Sequence, residues 1–406
     1  MKKDNIKNIK DFLVYAFQII NGKTKKDTRM WSYISEEYEH YLEKTNIEGI
    51  AFAINYLKQF NYNEKSKDYA GHSKRFTLDL CLERIAFLSI MENKKFQSIE
   101  MEVNKILKKK IDYTICGISG LDGLSPTLDA IKFTKTIASA NKESIICGWY
   151  LIKKNLEKYK TKFIPVDSEH FSIWSMTKKY SNDDIEEIIL TASGGPFLNS
   201  PIKIQKIATP EKAIKHPNWK MGKKISIDSA NLMNKIFEIM EANRMFDFDL
   251  DKYKILIHPQ SYVHAIIKFK NGLIKMLLHD TDMKIPIFNS IYNKKIKYIF
   301  SKKITSKNLN NMNFYKVDKL KFPSINLLKK ISEENTLYDT VITIVNEELV
   351  KLFLQHKISF RQIVENLIKI INLKEYKKYF SKKPTSLSKI YKVRELVRLK
   401  TNHISV

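Results

Sequence analysis

The sequence predicts an α/β fold in which a parallel sheet forms the N-terminal and catalytic regions and a helical domain follows at the C-terminus. Between residues 113 and 191, short apolar runs alternate with segments of helical periodicity, which is typical of parallel strands joined by crossover helices. From residue 337 onward, the apolar positions are spaced as in helices. At 406 residues, the chain is long enough for two or three domains that each bury a core.

The individual elements follow from local periodicity and turn residues. Residues 1–95 are predicted to be mostly helical, because helical spacing extends over residues 31–42, 46–60 and 77–91. Strands are predicted at 113–116, 136–139, 163–166 and 185–191, and helices at 128–133 and 144–159. Two apolar runs between residues 254 and 276 flank Lys270-Asn271-Gly272, which predicts a hairpin.

The chain is strongly basic and poor in glycine. Its 71 Lys+Arg residues against 44 Asp+Glu give a net charge of +27, and it contains 11 glycines. Such a charge is one property of nucleic-acid-binding proteins. Here, however, it is spread along the chain, with one short cluster at Lys108-Lys109-Lys110 and no accompanying RNA-binding or zinc-finger motif. We therefore attribute most of the charge to compositional drift and expect no nucleic-acid partner.

Cysteine usage and hydropathy indicate the compartment. The three cysteines, Cys81, Cys116 and Cys147, are widely spaced and match neither a disulfide framework nor a zinc site. No uncharged apolar run reaches the roughly 18–20 residues that a membrane span needs. These features predict a cytoplasmic protein without a membrane segment.

Two acidic residues, Asp167 and Glu169, directly follow one of the predicted strands. In an extended chain, residues i and i+2 point to the same side, so these two carboxylates are expected to converge. Converging carboxylates repel one another unless a cation or a proton lies between them, and oxygen ligands suit Mg²⁺ or Mn²⁺. The sequence therefore suggests a metal site here, with a solvated loop as the alternative.

A glycine pair follows the strand predicted at 185–191. Backbone N–H groups in the loop Ser193-Gly194-Gly195, together with the Ser193 hydroxyl, can bind an anion such as phosphate. A tight turn is the alternative. Seven of the 11 glycines lie between residues 117 and 222, several of them at strand ends, where ligand-binding loops belong. This distribution favours a functional loop.

A third cluster extends over residues 216–238. Asp228 or Ser229 is predicted to cap a helix on which Asn234 and Glu238 share one face, with Lys235 adjacent. An amide, an ammonium group and a carboxylate on one helix suit a phosphorylated polyol and supply a third metal ligand. In the preceding loop, Trp219 and Met221 are candidates for an apolar lid. The alternative is a basic, exposed loop followed by a surface helix.

Taken together, these clusters resemble one family. The matching segments are Ala140-Asn141-Lys142-Glu143-Ser144, Pro165 to His170, Ser193 to Phe197, His216 to Lys235, and Ile257-His258-Pro259-Gln260-Ser261. Residues 344–348, Ile-Val-Asn-Glu-Glu, are a weaker match. In order and spacing, residues 105–355 resemble the 1-deoxy-D-xylulose 5-phosphate reductoisomerases of the non-mevalonate isoprenoid pathway.

The resemblance implies an NADPH- and divalent-metal-dependent conversion of 1-deoxy-D-xylulose 5-phosphate into 2-C-methyl-D-erythritol 4-phosphate. Asp167, Glu169 and Glu238 would hold Mn²⁺ or Mg²⁺, and Lys142 would join them as a catalytic residue. Substrate contacts are implied for Lys142, Ser168, Glu169, Ser193, His216, Trp219, Ser229, Asn234, Lys235 and Glu238. NADPH contacts are implied for Asn141, Glu143, Met221 and Gly222.

The family also implies a domain order and an oligomeric state. Residues 1–110 would be a divergent NADPH-binding region, and residues 111–300 a catalytic domain whose start completes the dinucleotide-binding sheet. Residues 301–335 would form a linker, and residues 336–406 the C-terminal helical domain. The expected assembly is a homodimer.

The N-terminal region departs from the family pattern. The family begins with a Gly-rich turn that binds the pyrophosphate of NADPH, whereas residues 1–48 contain one glycine, Gly22. Ile236 stands where the family usually has glycine, and Asn293-Lys294-Lys295 interrupts a usual Trp-Pro region. The alternative hypothesis is a derived homologue that binds a phosphosugar and a metal but has lost or altered its use of NADPH. It would act as an isomerase only or as a non-catalytic partner.

Overall fold

A computed structural model describes residues 48–51, 110–219, 221–292 and 296–405. The predicted helices of residues 1–95, apart from residues 48–51, and the segment Asn293-Lys294-Lys295 lie outside the described residues. The chain divides into two compact units, Met1–Lys110 and Ile111–Val406. All the elements below belong to the second unit, and the domain boundaries proposed within it stay predictions.

Three parallel strands form the first sheet, in the order β1-β2-β3. They are β1 (Thr114–Cys116), β2 (Thr136–Ser139) and β3 (Lys162–Pro165). Helix α1 (Leu124–Phe133) connects the first two strands, and α2 (Lys142–Tyr159) connects the last two. The predicted alternation of strands and helices is thereby confirmed, because each apolar run pairs with the next one across a crossover helix.

The second sheet has five strands in the order β7-β6-β4-β5-β8. They are β4 (Ile185–Ala192), β5 (Tyr253–Ile257), β6 (Val263–Phe269), β7 (Ile274–Leu278) and β8 (Tyr315–Lys316). Strands β4 and β5 are parallel, whereas the other pairs are antiparallel. The predicted hairpin is the β6–β7 pair, with Gly272 at a φ of +84° in its turn. The mixed strand directions could not be predicted from the sequence, because apolar runs indicate strands but not their direction.

Short helices connect and cover this sheet. They are α3 (Ser168–Thr177), α4 (Ile202–Lys206), α5 (Pro210–Ala213), α6 (Lys223–Ala230), α7 (Met233–Phe246), α8 (Lys284–Ile291) and α9 (Ser306–Asn310). Residues 301–335, expected as a linker, contain α9, the edge strand β8 and a 3₁₀ helix, Pro323–Lys330.

Three helices complete the C-terminal part: α10 (Leu337–Leu354), α11 (Phe360–Ile371) and α12 (Leu387–Ser405). Thr336 caps α10 by accepting a hydrogen bond from the backbone N–H of Tyr338, and most of α10 is buried. One apolar core extends continuously from α1 to α12. Within the described residues, no helix has both the length and the apolar character needed to cross a membrane.

A buried ion pair fixes α10 against α7. The Arg244 guanidinium donates to both carboxylate oxygens of Asp339, at 3.2 and 3.1 Å, and also to the carbonyl oxygens of Ser332 and Glu333. Both side chains are almost completely buried. The C-terminal helices are therefore joined by charge as well as by apolar packing to the helix that carries Lys235 and Glu238.

Candidate active site

The sequence-predicted site residues converge on one cavity. It has a volume of about 500 Å³ and opens near the carboxyl ends of β2, β3 and β4, where parallel strands place their ligand loops. Its lining includes every residue that the sequence analysis selected: Asn141, Lys142, Glu143, Asp167, Ser168, Glu169, Ser193, His216, Trp219, Met221, Gly222, Ser229, Asn234, Lys235 and Glu238.

Three carboxylates meet at one end of the cavity. Asp167, Glu169 and Glu238 offer oxygen atoms that lie within 4.8 Å of one another. The expected convergence of Asp167 and Glu169 is present, but the extended geometry argued for it is wrong. Asp167 is the N-cap of α3, where its side chain accepts from the backbone N–H of Ser168, and Glu169 lies in the first helical turn. The helix start, rather than a strand, brings the two carboxylates together.

Two lysines neutralise part of this acidic group. Lys142 pairs with Asp167 and lies 3.9 Å from both Glu238 and Glu241. Lys235 lies 2.7 Å from Glu169 and 2.5 Å from Glu238. Counted formally, with every carboxyl group ionised and histidine neutral, the four carboxylates and two ammonium groups sum to −2. Acidic groups therefore outnumber basic ones in this cluster, and a bound cation would offset the excess.

The ionisation of the cluster reflects burial and these pairs. Burial raises the pKa of Glu238, and the neighbouring Glu169 adds to that effect. For Glu169, burial acts in the same direction and is the largest single effect, but Lys235, Lys142 and other neighbours together hold its pKa below the usual value. Burial acts to lower the pKa of Lys235, yet Glu169 and Glu238 raise it above its ordinary value. Glu169 and Lys235 thus remain an ion pair at neutral pH.

A fourth acidic residue, Glu241, lies next to this cluster and was not predicted from the sequence. Its carboxylate and the side chain of Asp167 flank the His170 ring, 3.5 and 3.4 Å from Nδ1. The Nε2 atom of His170 lies 2.8 Å from the carbonyl oxygen of Glu238, which can only accept, so Nε2 carries the proton. Glu241 is one helical turn after Glu238, a spacing that could have identified it.

The donor set fits a hard divalent cation. Within the described part of the chain, the buried Oε2 of Glu241 and Nδ1 of His170 have no hydrogen-bond partner, whereas Oε2 of Glu238 lies 2.5 Å from the Lys235 ammonium group. Buried polar atoms of this kind normally have partners, and carboxylate oxygens are the ligands that Mg²⁺ and Mn²⁺ prefer. A cation among Asp167, Glu169 and Glu238 would offset the excess of acidic groups in this cluster.

The glycine loop after β4 has a backbone conformation that requires glycine, and its proposed binding of an anion stays a prediction. Gly194 and Gly195 have φ angles of +81° and +66°, a region that disfavours side chains. The backbone N–H of Gly195 donates to Ser193 Oγ at 3.1 Å. A Cβ on Gly195 would lie 2.7 Å from Ala230 Cα at the end of α6, so glycine is required here by space as well as by conformation.

His216 is held neutral beside Ser193. Its Nδ1 accepts from the backbone N–H groups of Asn218 and Trp219, at 3.1 and 3.0 Å. The remaining proton is therefore on Nε2, which donates to Ser193 Oγ at 2.8 Å. Burial, followed by the charge of Lys235, lowers the pKa of His216 to about 4. Ser193 and His216 thus present neutral hydrogen-bonding groups to the cavity.

A break between two helices sets the positions of Ser229, Asn234 and Lys235. The sequence analysis placed Asp228 or Ser229 at a helix start, but both lie in the last turn of α6. The next helix begins after Leu232, which takes a left-handed conformation with a φ of +64°. No glycine marks this turn, so it could not be recognised from the residues alone. The predicted pairing on α7 is present, with Asn234 donating to Glu238 at 2.5 Å.

Trp219 covers one side of the cavity and rests on a histidine pair. Its ring meets His264 edge to face at 6.0 Å, and His264 stacks on His279 with ring centroids 3.8 Å apart. Burial, with His279 as a second cause, lowers the pKa of His264 to about 3. The sequence analysis missed His264, although a histidine inside the apolar run of β6 was a usable indication.

Another part of the cavity wall is formed by the start of α2. Asn141 is the N-cap of this helix, where Oδ1 accepts from the N–H of Ser144 and Nδ2 donates to the carbonyl oxygen of Gly120 at 2.8 Å. Glu143, in the first turn, pairs with Lys224 at 3.1 Å. Gly222 has no atom within 4 Å of a Cβ placed on it. This end therefore combines polar groups with open space beside the backbone, as a bound nucleotide requires.

Comparison with known proteins identifies relatives of this chain. Residues 88–148 match the model of the 1-deoxy-D-xylulose 5-phosphate reductoisomerase family, and residues 163–246 and 278–400 match models of C-terminal domains of the same enzyme. The 1-deoxy-D-xylulose 5-phosphate reductoisomerase of Pelagibacter ubique is 55% identical over 306 residues, 75% of this chain and 79% of that protein. The Aquifex aeolicus enzyme is 39% identical over 290 residues, 71% of this chain and 73% of that protein.

Solved structures are similar in fold. A DOX-P reductoisomerase in complex with NADPH, fosmidomycin and magnesium superimposes with a TM-score of 0.68 and 27% identity, over 80% of this chain and 89% of that one. The Zymomonas mobilis enzyme in complex with NADPH gives a TM-score of 0.65 and 28% identity, over 84% of this chain and 97% of that one.

Proposed function

Because the chain belongs to the 1-deoxy-D-xylulose 5-phosphate reductoisomerase family, we propose that it converts 1-deoxy-D-xylulose 5-phosphate into 2-C-methyl-D-erythritol 4-phosphate, with NADPH as reductant and a divalent metal. The observation that carries this proposal is the cavity itself. It combines a carboxylate cluster of charge −2, a neutral anion cradle and a polar cofactor end within one chamber.

The metal would be held by Asp167, Glu169 and Glu238. When bound, a divalent cation supplies a Lewis acid for the oxygens of the substrate's hydroxy-ketone. Lys235 keeps Glu169 ionised, and Asn234 donates to Glu238, so the two carboxylates are ready to coordinate. The solved DOX-P reductoisomerase in complex with NADPH and fosmidomycin contains magnesium, and we propose Mg²⁺ or Mn²⁺ for this chain.

Lys142 and Ser168 are the groups proposed to lie beside the reacting carbons. The ammonium group of Lys142 stands between Asp167 and Glu238 and can donate a proton or a hydrogen bond to an oxygen that becomes negative when the carbon–carbon bond breaks. Ser168 Oγ donates to Glu169 Oε2 at 2.5 Å, which fixes the carboxylate. These residues orient the substrate where the metal cluster meets the cavity.

The phosphate of the substrate would lie in the loop after β4. The Ser193 hydroxyl, which accepts from the N–H of His216, is a neutral donor there, and Ser229, Asn234 and Lys235 complete the polar wall. Trp219 covers this end and would exclude water when it packs on the sugar. A neutral His216 is useful, because a ring that does not titrate near pH 7 positions the Ser193 hydroxyl in the same way across that range.

NADPH would bind at the end formed by Asn141, Glu143, Met221 and Gly222. When bound, NADPH supplies the hydride that reduces the aldehyde formed by isomerisation. Glu143 is charged and partly buried, which suits a contact with a ribose hydroxyl. Residues 1–47 and 52–109 lie outside the described part of the chain, so the alternative of lost NADPH use is decided by assay.

The test is a spectrophotometric assay of NADPH oxidation with 1-deoxy-D-xylulose 5-phosphate and Mn²⁺ or Mg²⁺. We expect metal-dependent turnover in the wild type and its loss in Glu169→Gln. Consumption of the substrate without NADPH oxidation would instead identify an isomerase. A protein that binds Mn²⁺ but converts nothing would be a non-catalytic partner.

We also propose that the protein is a cytoplasmic homodimer. Strand β7 is an edge of the five-stranded sheet, and Leu273, Ile274 and Met276 are each about half exposed along it. An apolar edge of this kind normally needs a cover. Cys116 and Cys147 are free thiols, which supports a reducing compartment. Sedimentation equilibrium would refute the dimer by finding a monomer at micromolar concentration.

A further inference from the structure

Four side chains form a chain of contacts from the C-terminal helices to the cofactor end of the cavity. Asn346 on α10 donates to Asp228 Oδ1 at 2.8 Å. The other oxygen of Asp228 accepts from Lys224 at 2.9 Å, and Lys224 also donates to Glu143 at 3.1 Å. Asn346 and Asp228 are almost completely buried. These contacts join three helices, α10, α6 and α2.

Lys224 lies in the middle of these contacts, between Asp228 and Glu143. It lies in the first turn of α6, two residues after Gly222 and directly after the loop that carries Trp219. Lys224 lines the cavity, but its ammonium group is already paired with the carboxylates of Glu143 and Asp228. Lys224 is therefore not a free cation awaiting a phosphate. It connects the end of the Trp219 loop to the first turn of α2.

The charges of this chain of contacts are mutually maintained. Burial is the largest single effect on the pKa of Glu143 and acts to raise it, but Lys224, a backbone hydrogen bond and Lys142 together bring the pKa below the usual value. For Lys224, burial acts to lower the pKa, whereas Asp228 and Glu143 raise it well above the usual value. An ion pair with one partner buried loses much more on removal of a single member than an exposed pair does.

Resting on the function proposed above, we propose that Lys224 is a positioning residue for NADPH, which holds the Glu143 carboxylate in the orientation that accepts a hydrogen bond from the nucleotide. Asp228 and Asn346 fix Lys224 in turn. This assigns a role to Asn346 in the segment Ile-Val-Asn-Glu-Glu, residues 344–348, which has no role in the proposed substrate and metal sites. Because Glu143 follows Lys142 in the same helical turn, the arrangement also places the cofactor beside the metal cluster.

The test separates NADPH binding from metal binding. NADPH affinity is measured by fluorescence titration, and Mn²⁺ affinity by calorimetry, for the wild type, Lys224→Met and Lys224→Arg. We expect Lys224→Met to weaken NADPH binding about tenfold and to leave Mn²⁺ affinity unchanged within about twofold. Lys224→Arg keeps the charge and should recover most of the loss. Asn346→Leu should act in the same direction, by about threefold.

Lys153→Met is the matched control, because Lys153 lies on α2 and pairs with Asp247 at 2.8 Å on the surface. It should bind NADPH as the wild type does. Glu143→Gln supplies a second measurement that does not depend on how well Lys224→Met folds. If Lys224 acts through Glu143, removing both side chains costs no more NADPH affinity than removing Glu143 alone.

Two results would overturn the inference while leaving the proposed function intact: a Lys224→Met protein that binds NADPH as tightly as the wild type, or fully additive losses in the double variant. A loss of Mn²⁺ affinity equal to the loss of NADPH affinity would also overturn it, since that indicates general damage to the fold. A wild type that binds Mn²⁺ but not NADPH would overturn both the inference and the cofactor part of the proposed function.

Discussion

Replacement of Lys142 with Met is expected to strengthen metal binding while it abolishes catalysis. Lys142 pairs with Asp167 and lies 3.9 Å from Glu238, so in the metal-free protein its ammonium group competes with a cation for the same oxygens. Removing it changes the formal charge of the cluster from −2 to −3, because one positive charge is lost. A more negative site attracts a divalent ion more strongly.

The magnitude follows from Coulomb's law. Two unit charges about 4 Å apart interact by about 1 kcal/mol even at the dielectric constant of water. Repulsion between Lys142 and a divalent ion is therefore about 2 kcal/mol at least, which corresponds to about thirtyfold in affinity. We expect Lys142→Met to bind Mn²⁺ about thirtyfold more tightly. Glu238→Gln should weaken binding, because it removes a proposed ligand and one negative charge.

Isothermal titration with Mn²⁺ provides the measurement, and NADPH oxidation with the substrate monitors catalysis. Lys153→Met is the control for loss of a lysine from the same helix, and its Mn²⁺ affinity should equal that of the wild type. The reasoning is refuted if Lys142→Met binds Mn²⁺ no more tightly than the wild type, since Lys142 would then not share the metal's oxygens.

Three further predictions concern stability and ionisation. Arg244→Met leaves Asp339 buried without its cation and should lower the free energy of unfolding by about 3–5 kcal/mol, measured by urea denaturation; a change below about 1 kcal/mol would contradict the buried pair. The ring of His216 should titrate in NMR spectra near pH 4. Because this folded pKa is below the unfolded value of 6.5, its contribution to stability is complete above pH 6.5 and is lost towards pH 4; a midpoint near 6.5 would refute its burial. Gly195→Ala should lower the melting temperature and raise the KM for substrate, whereas Gly272→Ala, with open space around its Cβ, should cost only about 1 kcal/mol of backbone strain; equal effects would show that the contact with α6 is unimportant.

The sequence was most informative where chemistry is local. Asp167 and Glu169 follow an apolar strand, and the loop Ser193-Gly194-Gly195 follows another, so their place at strand ends was predictable from periodicity and glycine. The structure places all three at one cavity. The helix that starts at Ser168 was not predicted. Its N-cap, Asp167, has an extended backbone like that of the strand before it, so the end of the strand could not be told from the start of the helix.

The residues that were missed depend on contacts far apart in the chain. His264 reaches the cavity through the pairing of β6 with β4, and Lys224 meets Glu143 across 81 positions. The turn at Leu232 depends on the packing of α6 and α7 rather than on a glycine. Pairing partners and helix packing are properties of the folded chain, so a single sequence does not specify them.

The net charge of +27 and the charge of the site have opposite signs, and this contrast bears on what the protein recognises. The cluster around Lys142 and Lys235 is formally −2 within a strongly basic chain. A nucleic-acid surface concentrates unpaired cations, whereas Lys142, Lys224 and Lys235 of this cavity each contact carboxylates. The basic composition therefore raises the local concentration of an anionic substrate around the molecule, while the acidic cluster selects a cation inside it. A phosphosugar that chelates a metal has both the negative charge that the basic chain attracts and the oxygens that bind a cation, which agrees with the function proposed above.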